Sequence, residues 1–502
     1  MEFRQLAFLA SQPSAAVKNR EHFWGMPKRG LAFLLANVMF WQPMWAQADG
    51  IVVSAPGTTL DRAGNGVPII NIATPNGAGL SHNQFHDYNV DAQGLILNNA
   101  TSRTQLTQMG GIILGNPNLR AAAAQTILNE VNGGSPSQLR GYTEVAGQSA
   151  RVIVANPYGI SCNGCGFINT PRVTLTTGKP LLDGAGRLDR FQVDQGSVSI
   201  DGKGLDASAV DSFEIITRSA QINAQIHAKR LNITTGRNDV NAETLSATAR
   251  ADDGSAKPQL AIDSSALGGM YAGAIKLVGT EAGVGVKLAG ELAASAGDIQ
   301  IDANGQLTLA KVTASNAVDI KANSLEAQQT VYAGTQLTVQ TAKDLVNQQS
   351  LAARDSVRLT NGGTLTNAGV IEAGVNADNS RNSNGDVSIN SGSVSNRGSV
   401  LASRSLSASA AGVFDNQNGI VQAKDVALSA TRLVNQGADA RIYGETSLAF
   451  NVPAIVNLSG LIRFGHRVAQ SGRHAGRRFD PDHRHSAGQQ QQGCHQCRKR
   501  QC

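Results

Sequence analysis

From about residue 331 the chain alternates apolar and polar residues in short runs, and the runs recur. Leu337/Val339, Val357/Leu359, Val387/Ile389, Leu406/Ala408 and Val426/Leu428 each hold one residue between two apolar ones. A second element, an apolar residue followed two positions later by asparagine, keeps step: Leu345/Asn347, Leu365/Asn367, Val394/Asn396, Phe414/Asn416 and Leu433/Asn435. Period-two alternation predicts strands with one buried face. The asparagine spacings are 20, 29, 20 and 19 residues. A repeat near this length, punctuated by Gly and Asn, predicts an all-β fold, a parallel β-helix in which each coil hydrogen-bonds to those above and below. The long interval holds Asn-Ala-Asp-Asn-Ser-Arg-Asn-Ser-Asn at 376–384, an insertion of loop composition. Stacking in register puts Leu over Leu, and Asn347, Asn367, Asn396, Asn416 and Asn435 are expected to form a ladder of amides bonded along the axis. Ordinary turn chemistry is the competing reading, since Asn tolerates left-handed backbone. Asp355, Asp386 and Asp425 fall just before strands and read as turn residues rather than a catalytic row.

Both ends depart from this pattern. After Lys28-Arg29 an apolar run of 12 residues, 30–41, leads to Gln42-Pro43 and then Met44-Trp45-Ala46-Gln47-Ala48. The run is shorter than the roughly 20 residues of a spanning helix. Basic flank, short apolar core, breaker and small residues together predict a signal peptide over 1–48, with Ala46 and Ala48 suited to a signal peptidase pocket. Its partners are then the general secretion machinery and signal peptidase; a membrane anchor is the alternative, and Met26 is a second candidate start. After Leu458-Ser459-Gly460 the repeat is expected to stop. Residues 461–502 hold five of the nine histidines, eight arginines, the Gln489–Gln492 run and three of the five cysteines. A shifted coding frame accounts for so abrupt a change; a basic metal-binding or nucleic-acid tail is the other reading.

Composition sharpens this picture. Hydrophobic residues make up 41% of the chain, enough for a core, while 54 glycines beside only 4% aromatics favour an elongated repeat. The formal charge is +6, which invites a nucleic-acid reading. Residues 1–48 carry five basic against two acidic side chains and 461–502 carry nine against two, so the body between them is at −4. That body has no basic footprint, and no nucleic-acid partner is expected. The sequence contains no phosphate loop, no His-Glu-x-x-His and no Gly-x-Ser-x-Gly. No enzyme, cofactor or metal site is expected; a β-helical polysaccharide lyase is the remote alternative, and it would need stacked acidic and basic residues that the repeats lack.

Residues 49–290 contain features that periodicity leaves unexplained. Asn116-Pro117-Asn118-Leu119 follows Gly-Gly-Ile-Ile-Leu-Gly, and Asn156-Pro157-Tyr158-Gly159-Ile160 follows Ala-Arg-Val-Ile-Val-Ala. Taken alone each is a turn that ends a strand. With their surroundings (Asn71 to Asn83, Gly204 to Ser208, Leu231 to Gly236, Leu267 to Ala272 and Gly279 to Val286) they resemble the secretion domain of the filamentous haemagglutinin/haemolysin family, the exported partners of two-partner secretion systems. The resemblance implies a right-handed parallel β-helix with an N-terminal cap and extra-helical strands. It also implies that Asn116, Pro117, Asn118, Leu119, Asn156, Pro157, Tyr158, Gly159 and Ile160 form the region read by an outer-membrane β-barrel transporter with periplasmic recognition domains. The expected order is signal peptide at 1–48, secretion domain at 49–300, haemagglutinin-type repeats at 301–460 and tail at 461–502. The expected function is that of an adhesin passing through the periplasm to the cell surface or medium, with a host or bacterial surface receptor. A contact-dependent inhibition toxin carrier or a haemolysin would begin the same way. Cys162 and Cys165, in Cys-Asn-Gly-Cys, are expected to form a disulfide in an oxidising compartment. Redox catalysis would need a thioredoxin-like context, and zinc would need Cys494 and Cys497 with tail histidines.

Overall fold

A computed structural model describes residues 50–119, 122–465 and 467–468. The expected leader, with Ala46 and Ala48, and most of the tail, with Cys494 and Cys497, lie outside the described residues. Among the described residues all regular structure is strand, and 42 strands join one continuous, mostly parallel sheet that winds into a β-solenoid. Each coil of the repeat region contributes three strand segments. Gln336–Thr341, Leu345–Asn347 and Ser350–Ala353 make one coil; in the next, Ser356–Asn367 runs round a corner before Val370–Ala373.

Register is set by the apolar positions. Leu337 stacks on Val357, Val387, Leu406 and Val426 in successive coils, and Val339 on Leu359, Ile389, Ala408 and Leu428. All ten are buried, each large side chain contributing about 1.5–3 kcal/mol by leaving water. A slip of one residue would turn every one of them outward. The 376–384 insertion leaves the ladder between Ala373 and Asp386, with a bridge from Val375 to Arg381, so the stack passes beneath it undisturbed.

Two expectations need correction. Asp386 opens its strand and Asp425 lies inside Ile420–Ser429, because those strands run closer to or round the corner; a register shift between Ala423 and Asp425 marks the bend. The repeat also continues past residue 460. Leu461–Phe464 pairs in parallel with the strand Arg441–Asn451, and Ile462 is buried, so these residues complete the third side of a coil.

The N-terminal coils are dressed. Thr59–Arg62 and Pro68–Asn71 form an antiparallel hairpin, and Ile51–Val53 runs antiparallel to Leu80–Tyr88, closing an edge that would otherwise be open to pairing. Outside the solenoid, Lys179–Leu182, Leu188–Val193, Asn238–Asn241 and Ala247–Ala249 form an antiparallel sheet. Its Phe191, Val193 and Val240 cover Leu80, Leu128, Ile153 and Ile216, which point away from the solenoid interior and make a second core. A two-stranded hairpin, Thr104–Thr107 with Gly111–Leu114, covers a third, small cluster through Ile113.

Candidate functional site

The two Asn-Pro segments are built alike. In each, the asparagine side-chain oxygen accepts the backbone N–H two residues on, Asn118 at 2.8 Å and Tyr158 at 2.9 Å. The asparagine carbonyl accepts the N–H three residues on, Leu119 at 3.2 Å and Gly159 at 3.1 Å. An Asx turn is thus laid over a β-turn, with Pro117 or Pro157 fixing φ at the second position. Gly159 has φ +117°, a conformation that favours glycine.

The asparagines face inward. Asn116 and Asn156 are buried. The Asn116 amide donates to the carbonyls of Ile72 and Asn98, at 3.0 and 2.7 Å; that of Asn156 donates to the Ser135 carbonyl at 2.9 Å and the Ser137 hydroxyl at 3.0 Å. Asn118 donates to the carbonyls of Asn71 and Ile72. Each asparagine therefore staples its turn to neighbouring chain, and replacing it would remove donors from polar groups at a largely buried site. Leu119 and Ile160 are also buried, whereas Pro117 and Tyr158 are exposed. The partner sets do not overlap: the first motif is tied to 71–72 and 98–100, the second to 135–137 and 176.

Cys162 and Cys165 are bonded to each other and buried, Cys162 ending the strand Ile160–Cys162 and Cys165 opening the next. The intervening Asn163-Gly164 turns the corner, with Gly164 at φ +82°. Among the described residues no group of three or more His, Cys, Asp or Glu side chains is placed to hold a metal.

The asparagine column stands elsewhere, along the repeat coils. The amide of Asn347 donates to Asn367, Asn367 to Asn396, Asn396 to Asn416 and Asn416 to Asn435, at 2.7, 2.8, 2.7 and 2.7 Å. Asn435 donates to Asn457 at 2.8 Å, a sixth member that the column of five omits although Ile455/Asn457 carries the same spacing signal. The second hydrogen of the same amides reaches a backbone carbonyl, as from Asn367 to Ser399 at 3.1 Å. Ala327 occupies the preceding coil's position, so the side-chain oxygen of Asn347 is buried without a donor.

Charge is concentrated where the four-stranded sheet meets the solenoid. Glu214, 1% exposed, accepts from Arg151 at 3.2 Å and Thr174 at 2.6 Å and is bound by Arg172. Arg172 also donates to the Ala242 carbonyl at 2.9 Å, tying the sheet down. Burial pulls the Arg151 guanidinium down to about 10, against the charge of Glu214, which raises it. Sequence reading missed this network, as it missed the buried Asn71–Asn98 pair.

The family model of the TPS secretion domain matches residues 48–309, more than half of the chain. The chain belongs to the TPS secretion domain family. Both Asn-Pro turns, the disulfide, the hairpin and the four-stranded sheet fall inside the matched region, and the asparagine ladder falls outside it. The chain is 44% identical over 425 residues to the 16S rRNA endonuclease CdiA of Enterobacter cloacae, covering 82% of this chain and 13% of that protein. It is 43% identical over 419 residues to the tRNA nuclease CdiA of Yersinia mollaretii, covering 83% of this chain and 14% of that protein. It thus spans about a seventh of the length of these relatives. Among solved structures, the filamentous hemagglutinin secretion domain is 31% identical with a TM-score of 0.49, covering 64% of this chain and 95% of that one. The TPS domain is the secretion domain of an exported protein, bound for the cell surface or medium.

Proposed function

We propose that the TPS domain of this chain is a non-enzymatic export address, read in the periplasm by an outer-membrane β-barrel transporter as the N-terminal part of a surface or secreted adhesin. The observation that carries the reading is the family match over 48–309 with both Asn-Pro turns inside it. The burial of Asn116 and Asn156 supports a division of labour: the asparagines hold the turns, while Pro117 and Tyr158 present them. A physical mode is strand addition, in which exported backbone pairs with a sheet edge of the transporter. Coil-by-coil folding outside then opposes back-sliding without nucleotide. The names of the CdiA relatives favour a second reading of the larger protein as a toxin carrier, with any nuclease outside this segment.

The test is export of the full chain with and without a co-expressed two-partner transporter, read as protein in the medium or accessible to protease on intact cells. Equal export without the transporter would end the proposal. With the transporter present, Tyr158→Ala, Asn116→Ala and Asn156→Ala are each expected to reduce export. Unchanged levels of intact protein would remove the turns from recognition.

A further inference from the structure

The hairpin Thr104–Thr107/Gly111–Leu114 has two unlike faces. Ile113 and Thr107 point inward, 4% and 5% exposed. Leu106, Ile112 and Leu114 point outward at 72%, 74% and 70% exposed. Leu106 lies directly across from Ile112, and Leu114 across from Thr104, so the three share one bare patch. The stretch Thr-Gln-Leu-Thr-Gln-Met-Gly-Gly-Ile-Ile-Leu, 104–114, contains no charged residue. Each strand pairs only with the other among the described residues, leaving two outer edges.

This exposed element is held firmly. The buried Glu144 carboxylate accepts the backbone N–H of Gln108 at 2.7 Å and of Met109 at 2.9 Å, and the Asn65 amide donates to the Met109 carbonyl at 2.7 Å. At the foot, Gly115 N–H donates to Arg103 at 3.0 Å and Asn116 N–H to Ala100 at 2.9 Å. A Cβ on Gly115 would stand 1.8 Å from the Ser102 carbonyl oxygen, so the crossing requires glycine. The first Asn-Pro turn is therefore the base of the hairpin, and Asn116 is a positioning residue for it.

We infer that the outer face of this hairpin is the surface on which the transporter's recognition portion docks, an extended strand with apolar side chains on one face adding to the hairpin edge. The inference rests on the export reading above, which supplies the partner. Three arguments select this occupant. Two-stranded hairpins are marginal alone, and a third strand with a shared apolar face is what completes them. Large apolar side chains left bare on an anchored element mark an interaction site. The hairpin is contiguous in sequence and closes locally within microseconds, so an added third strand can capture it as it forms; a surface assembled from several coils cannot be captured that way. With no charge on the patch, the contact is governed by apolar burial and main-chain pairing.

The test uses the full chain carrying L106S, I112T and L114S together, co-expressed with a two-partner transporter that exports the wild-type chain. Because these side chains are bare, the thermal midpoint of purified protein is expected to stay unchanged, while export falls by at least about tenfold, the loss expected from a few kcal/mol of forfeited burial. L106V, I112V and L114V together are expected to restore it. Binding of the full chain to the purified transporter is expected to vanish in the serine/threonine variant and to change less than about twofold between low and high salt. Unchanged export overturns the inference, as does a steep salt dependence, or a wild-type dimer in sedimentation that the variant abolishes, since the face would then belong to a second copy. Failure of the export reading looks different: the wild-type chain would leave the cell without any transporter.

Discussion

The coils from Gln336 onward and the coils before Leu292 share one winding and differ in what lies outside it. In the repeat region the outward residues of adjacent strands are polar and no second sheet covers them: Arg358 and Ser407 are exposed, Thr338 and Ser388 half-buried among their neighbours. In the TPS domain Arg151–Ala155 is buried at every position, because Ile153 and Ala155 are covered by a separate sheet whose strands come from 188–193 and 238–241. The repeat gains stability by addition of like units, each touching its neighbours. The TPS domain instead depends on long-range closure of a lid, and its sites are the places where that lid and the hairpin are pinned. The two regions should therefore fail separately, and substitutions can be chosen to show it.

The largest effect is expected where the lid is pinned by charge. Glu214→Ala leaves Arg151 and Arg172 with only the exposed Glu243 carboxylate, at 3.8 and 3.3 Å, a change that costs up to about 3–5 kcal/mol. Hydrogen exchange should show Arg151–Ala155 and Ser212–Thr217 losing protection while Ser405–Ala410 keeps its own. Uniform loss across both regions would mean that they are one cooperative unit.

The converse break lies in the ladder. Asn396→Ala removes the acceptor of Asn367 and the donor to Asn416, both buried, at about 1–3 kcal/mol for each stranded group. The loss should be confined to coils around residues 367–435. Asn347→Ala is expected to cost less, since its oxygen has no donor to lose and it breaks only one rung. Equal costs would show that the column is held by packing rather than by its amides. Next comes the disulfide: Cys162→Ala with Cys165→Ala opens a loop with sequence separation 3, for which chain entropy predicts about 2 kcal/mol. Its effect should stay within the TPS domain.

The same contrast explains what could be read in the sequence. The repeat columns were legible because one face of each strand has no second sheet over it, so alternation survives: Val387-Ser388-Ile389 announces its own orientation. Val152-Ile153-Val154 does not, since a strand covered on both faces reads as an unbroken apolar run. Its cover, Leu188–Val193 with Asn238–Asn241, is split by the 44 residues 194–237, which include other strands, and carries no local mark of where it packs. The Asn-Pro segments were legible as turns, but nothing local told that their asparagines are buried staples. Ile112-Ile113-Leu114 is the reverse case: it reads as a buried strand, and only Ile113 is buried.

The smallest effect is a pH dependence belonging to the TPS domain alone. Burial by itself would raise the Glu130 carboxyl, but hydrogen bonds from the His82 ring at 2.7 Å and the Gln84 amide at 3.3 Å, with the charges of His82 and Lys179, outweigh it and hold it below its ordinary value of 4.5. Because the folded pKa is the lower one, this carboxylate's contribution to stability is complete above the unfolded value and is lost as pH falls through the folded value. Unfolding midpoints followed by exchange in Leu80–Tyr88 and Thr126–Val131 should therefore decline below about pH 4.5, and Glu130→Gln should flatten that decline. In the repeat coils the same substitution should change nothing; a matching shift there would show that acid acts on the solenoid as a whole and not through this pair.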